Sequence, residues 1–353
     1  MWLVDTTEKV EKEMNERNQI NWLTILRGMT ILLVVMNHIR LLDLSTGECY
    51  QFVYDINRCF EPLRMPTFIA VSGALLYYSR ISRGWRTADL YKDKLVRLGM
   101  PLLFCTLLGN GMQMLFNSFV KHPHEVTISS FLRSFVLTDN LPWPHRWYLM
   151  TLALIMALYP LFAIKKSKWL EVATLIILFV LKDFDFAPDE LDNWFGLFTL
   201  NAYIPYFYLG LLAFKHEWYR YLSSWGVTIV LVLSYCILYA SNLVPTIDFL
   251  SSYTPFYEVL GMTTIVSISM QIDRLCPRAF KSYSGYIFQI YLFGIAFQAF
   301  VELILWRAIG CPNALVIPVY ILNIICGLYL PVAMSLIIKR IPIRWIRLCF
   351  GLK

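Results

Sequence analysis

An arginine and a histidine eleven residues apart, Arg27 and His38, stand inside the apolar run NWLTILRGMTILLVVMNHIRLL, residues 21–42. The run has the length, about 20 residues, that a helix needs to cross a bilayer core. A charged side chain at mid-membrane costs about 2.5–3.5 kcal/mol on insertion scales, so it usually faces a bundle interior or a wet cavity. At about 100° per residue, eleven residues make three turns with about 20° left over, which puts both groups on one helix face about 16 Å apart. Such a stripe offers a cation and a titratable imidazole. The imidazole can take a proton from an attacking hydroxyl, and the cation can favour developing negative charge. A structural reading also exists, in which Arg27 snorkels at a helix start and His38 is a buried packing residue.

The rest of the chain must position that stripe. Of its 353 residues, 58% are hydrophobic and 16% aromatic, with only 16% charged, and the mean hydropathy is +0.56. These values describe an all-α polytopic membrane protein and exclude an ordinary soluble enzyme. The first 19 residues carry both charge signs and lack a small-residue cleavage site, so the first apolar helix is expected to remain in the mature chain. Ten spans are expected, at roughly 21–42, 60–79, 98–118, 147–164, 170–182, 194–214, 225–241, 257–272, 284–305 and 315–338. No internal repeat or low-complexity tract interrupts them, which reads as one membrane domain over 1–353.

Orientation follows from lysine and arginine placement. With a cytoplasmic amino terminus, the inner loops and termini collect 22 of the 31 basic residues. The loop 183–193, DFDFAPDELDN, is acidic and falls outside. Both termini are therefore expected in the cytoplasm, with Arg27 toward the inner face and His38 toward the outer half. Basic residues sit in short loops and not along one exposed face, which argues against nucleic acid as a partner. The eight cysteines show no CxxC and no zinc spacing, so no metal site is expected. Cys49 and Cys59 share a loop expected to face the oxidising side, where a disulfide between them is one outcome.

Further stretches join the first helix. RMPTFIAVSGALLYYS places Ser72-Gly73 in mid-span, a small pair that suits either close helix packing or a site. KDKLVRLGMPLL sets Lys94 and Arg97 three residues apart on one helix face at the expected cytoplasmic surface. That pair reads either as ordinary positive-inside charge or as a grip for phosphates. PWPHRWYLMTL puts His145 two residues before Trp147 at an outer boundary. Tyrosines crowd YIPYFYLGLLAF and YSGYIFQIYLF, and Glu258 sits in the eighth span.

Together these stretches resemble the membrane acyltransferase-3 family, whose members O-acylate cell-surface carbohydrates. The family's basic residue, ten-residue spacer and histidine stand here as Arg27 and His38. Its FxxSG pattern is similar to FIAVSG, from Phe68 to Gly73. Its basic-x-x-Arg pattern resembles Lys94 and Arg97, and its HxWFL pattern resembles His145 to Leu149. The pieces LRM, LGMP and YIPYFYLGLLAF look closest to the periplasmic-glucan succinyltransferase branch. In one departure, Ser284 to Tyr291 reads SGYIFQIY, with Tyr291 where many members carry a histidine.

The resemblance implies an enzyme of the bacterial inner membrane that takes an acetyl or succinyl group from cytoplasmic acyl-CoA, with no permanently bound cofactor. The acceptor would be a hydroxyl of an extracytoplasmic glycan. His38 and Arg27 would carry the chemistry, and Lys94, Arg97 and Ser72 would bind the donor. His145, Trp147, Glu258 and Tyr291 would meet the acceptor. The competing reading is a glycan transporter without catalysis, because intramembrane ionisable residues mark transport routes as readily as active sites. Against it, the halves do not repeat and show no matching broken helices.

Overall fold

The computed structural model describes residues 21–42, 49–116, 126–137, 146–164, 167–182, 184, 194–242, 254–310 and 313–352. Among them the chain is helical, with two isolated β-bridges and no strand. It divides into two compact units that are each discontinuous in sequence. Unit 1 comprises residues 1–71 and 216–331, and unit 2 comprises 72–215 and 332–353.

Three helical stretches are long and apolar enough to cross a membrane: Thr87–Leu115, Ser284–Trp306 and Val316–Lys339. They match three of the expected spans. Shorter apolar helices cover Asn21–Asn37, Arg146–Ala157 and Trp225–Ala240. The first is a correction to the expected 21–42 span. Helix α1 stops at Asn37, and His38 N–H turns back to the Val35 carbonyl at 3.2 Å. The seventeen described residues of α1 reach about 26 Å.

Unit 1 is built from α1, the first part of α2 (Gln51–Leu76), α10 (Trp225–Asn242), α11 (Thr254–Leu275), α12 (Ile287–Phe300) and most of α13 (Val316–Lys339). Prolines at 62 and 66 lie inside α2. Neither can donate to the carbonyl four residues back, so this helix carries freed backbone oxygens beside Arg64. Gly261 lets α11 approach the same place, since a Cβ there would lie 3.3 Å from Pro62. Helices α10 and α11 are joined by Thr228 to Ser267 at 2.7 Å and by Gln271 Nε2 donating to Thr228 Oγ1 at 2.9 Å. In a low-dielectric setting such side-chain bonds satisfy groups that lipid could not.

Unit 2 holds α3 (Thr87–Lys94), α4 (Met100–Phe116), α5 (Ile128–Arg133), α6 (Arg146–Ala157), α7 (Tyr159–Ala163), α8 (Lys168–Val180), α9 (Leu197–Lys215) and α14 (Arg344–Cys349). Short π-helices at Tyr77–Ile81 and Leu95–Gly99 flank α3. Ser167 caps the start of α8 by accepting the Leu170 N–H, and Asn201 Nδ2 on α9 donates to the carbonyls of Leu181, Lys182 and Phe184 at its far end. Glu171 on α8, nearly buried, is paired with Lys215 of α9. Gly73 of the small pair at 72–73 is explained by packing. A Cβ on Gly73 would come within 1.9 Å of the Phe207 carbonyl oxygen on α9, a distance only glycine permits. Cys49 and Cys59 are free thiols. Cys59 lies eight residues into α2, about 12 Å along its axis from Gln51, whereas a disulfide needs Cα atoms under about 7 Å apart.

Candidate active site

Arg27, His38, Glu258 and Tyr291 belong to unit 1; Ser72, Lys94, Arg97 and Trp147 belong to unit 2. His145 lies outside the described residues.

In unit 1, His38 is half-buried just past the end of α1. Because the helix ends one residue earlier, the regular 100° step that would put Arg27 and His38 on one face does not carry through to His38. Three features fix where His38 sits. The Val35 carbonyl accepts both the His38 N–H and the Nε2 group of Gln298, the latter at 2.9 Å. Gln298 is 1% exposed, so this bond is sheltered from competition. Gly327 on α13 leaves room for that crossing, since a Cβ there would meet Val35 at 2.8 Å and Gln298 at 3.0 Å. Beyond His38, the Arg40 N–H donates to Glu302 Oε1 at 2.7 Å, and Asn323 Nδ2 donates to the same oxygen at 3.0 Å.

Arg64 and Arg40 are among the charges acting on His38. Arg64 is 6% exposed on α2 between the two prolines. Sequence reasoning noted its LRM segment but gave Arg64 no role. Its signal was a basic residue in a mid-span segment with prolines on both sides. Four residues further along α2, Phe68 stacks on Tyr291 with centroids 5.6 Å apart and planes at 19°. Tyr291, where a histidine was anticipated from the resemblance, is thus packed against the FIAVSG segment. Glu258 is half-buried on α11, one turn before Gly261. Arg27 is half-buried on α1, with its carbonyl accepting from Thr30 at 3.1 Å.

In unit 2, Ser72 Oγ lies 3.0 Å from the Tyr148 hydroxyl. Next to Tyr148, Trp147 stacks on Tyr203 of α9 at 5.3 Å. A π-helix begins at Leu95, between Lys94 and Arg97, and i→i+5 bonding takes more residues per turn than the α-helix. Arg97 pairs with Asp93 at 2.9 Å, and Asp93 also holds Arg80 at 3.1 Å. Lys94, half-buried, feels the charges of all three. The result is three cations around one carboxylate, with positive charge in excess. Arg80 is held flat 3.6 Å over the Trp85 ring, and Tyr159 donates its hydroxyl to the Trp85 carbonyl at 2.8 Å. Arg80 and Asp93 are additions that the sequence spacing did not reveal.

The described residues are helical, with three stretches long and apolar enough to cross a membrane. The family model for an acyltransferase domain matches residues 20–338, and the chain belongs to that acyltransferase-3 family as a membrane acyltransferase. No curated protein and no solved structure matches it.

Proposed function

We propose that the chain moves an acyl group from acyl-CoA, supplied at the cytoplasmic face, to a hydroxyl of an extracytoplasmic glycan, as an enzyme of the bacterial inner membrane. The reading is carried by the acyltransferase match, which spans the candidate residues of both units. His38 is the general base that takes the proton of the attacking hydroxyl, a role worth about 10²–10⁴-fold in rate. The adjacent charge of Arg64 supports stabilisation of the oxyanion that forms as the hydroxyl attacks the thioester carbon. Lys94 and Arg97, with Arg80, hold donor phosphates by charge-assisted hydrogen bonds. Trp147 and Tyr203, stacked and half-buried, suit the apolar faces of sugar rings. A ten-span topology with both ends inside remains the arrangement that the charge distribution favours.

Arg27 is proposed to serve the donor. Arg27→Lys keeps the charge but loses the planar fork that holds two oxygens at once. Partial activity for Lys and little for Ala, with the loss showing as weaker acyl-CoA use, is the expected result. Arg27→Ala with intact acyl-CoA binding and low stability would make Arg27 structural.

The deciding experiment reconstitutes the protein in vesicles with radiolabelled acetyl- or succinyl-CoA outside and an oligosaccharide acceptor within. Label transfer to the acceptor is expected. Glycan movement without consumption of acyl-CoA would sink the reading in favour of transport.

A further inference from the structure

Arg146 begins α6 and is 0% exposed. Its Nη1 group donates to Thr106 Oγ1, which can accept because its own hydroxyl proton goes to the Leu102 carbonyl at 2.8 Å. The other edge of the guanidinium differs. Among the described residues, Nε and Nη2 have no hydrogen-bond partner. Nor is an acid placed beside it among those residues: α3, which packs against α6 and carries Asp89 and Asp93, meets the far end of α6, where Tyr91 donates to the Ala157 carbonyl. Neither α4, α5, α6 nor α14 contains a single Asp or Glu. The described surroundings are polar but neutral: Cys105, Thr106, Asn110 and Ser134, all buried. Asn110 Nδ2 is spent on the Thr106 carbonyl at 2.8 Å and on Ser134 Oγ at 2.9 Å, so it holds the wall in place.

Two separate costs meet at this residue. Among the described residues its charge has no counter-charge, and a buried charge in that state is among the most unfavourable arrangements in a protein interior. In a membrane the group cannot fall back on bulk water. A bound anion would offset both. The two open groups also specify its shape. Nε–H and Nη2–H point in parallel from one edge of the guanidinium, the geometry that matches two oxygens of one carboxylate or phosphate.

We propose that Arg146 is an oxyanion receptor, binding one carboxylate or phosphate group of a substrate through its Nε/Nη2 edge. The oxyanion site itself does not require the acyl-CoA and glycan assignment. Only the identity of the molecule carrying the oxyanion rests on that reading, as either the donor or an acidic sugar of the acceptor.

The test uses the full chain in lipid nanodiscs at low ionic strength, with thermal melting followed against coenzyme A, inorganic phosphate, glucuronate and glucose. Coenzyme A or glucuronate, but not glucose, is expected to raise Tm. In Arg146→Gln that dependence weakens by about 10–100-fold in apparent Kd, the worth of a charged hydrogen-bonded contact. Its ligand-free Tm equals or exceeds the wild type, because an uncompensated charge has gone. Running coenzyme A in a Lys94→Ala/Arg97→Ala background isolates Arg146 from the other cations. A residual coenzyme A response there assigns the oxyanion to the donor, and a glucuronate response alone assigns it to the acceptor.

Three results would overturn the proposal: no oxyanion response in the wild type, a response that survives in Arg146→Gln, or a ligand-free Tm lowered by that change. If Arg146→Gln does not fold, Arg146→Lys keeps the charge and loses the paired N–H edge. Its oxyanion affinity should then fall about tenfold at near wild-type Tm, and unchanged affinity would be fatal. Acyl-CoA turnover, assayed in parallel, separates the two claims. Its absence in the wild type counts against the substrate assignment and leaves the oxyanion site standing.

Discussion

The surroundings of His38 in unit 1 and the cation cluster in unit 2 are fixed by different physics. His38 is located by close packing: a carbonyl shared between its own N–H and buried Gln298, and a glycine that lets the helices cross. Arg80, Lys94 and Arg97 are located by charge, gathered around Asp93 with side chains 15% to 36% exposed for the two arginines. Packing gives a rigid atom position with little tolerance. Partly exposed ion pairs give a softer arrangement that a ligand's charges can rearrange and that salt can screen. The difference suits the first to a chemical step and the second to binding. Changes near His38 should therefore act on kcat, and changes in the cluster on KM.

The sharpest break in that contrast is His38→Ala. Loss of the general base should lower kcat by about 10²–10⁴-fold at normal protein abundance, with acyl-CoA affinity kept. Near wild-type acylation would remove His38 from the chemistry. Next in size is the double change Lys94→Ala with Arg97→Ala. Losing two charge-assisted contacts should raise the acyl-CoA KM by about 10–100-fold, with Tm little changed. Unaffected acyl-CoA binding would reduce the pair to topology signals.

A smaller effect should come from Gln298→Ala. If His38 is the general base proposed above, Gln298 positions it through the Val35 carbonyl on the backbone that carries it. A roughly tenfold fall in kcat is expected, since small misplacement of a catalytic group is costly, with KM constant and partial recovery in Gln298→Asn. A change in Tm alone, with kcat intact, would leave Gln298 as a packing residue only.

Asp93→Asn should do least. It releases Arg80 and Arg97 from their shared carboxylate, so the acyl-CoA KM should shift only a few-fold, as exposed ion pairs are worth about 0–1 kcal/mol. Its dependence on ionic strength should steepen, because the cluster gains net charge. A collapse of kcat instead would mean that the cluster takes part in chemistry and that the contrast between the two regions is wrong.

Composition and pattern alone determined the helical membrane character of the chain, the existence of most helices and the family. Long apolar runs have few structural outcomes in lipid, and motifs such as Arg27–His38 and FIAVSG are local in sequence. The tertiary structure decided what those motifs do in space. It ended α1 at Asn37, with the Val35 carbonyl in its last turn accepting from Gln298, 263 residues further along the chain. Arg97 is paired with Asp93 four residues earlier, and Asp93 also holds Arg80, thirteen residues before it. Gly73 proved to be a contact for the Phe207 carbonyl. Arg64 beside His38 and Arg146 with its open edge could not be read from spacing. A buried charge is recognised only by what surrounds it, and those neighbours come from distant parts of the chain.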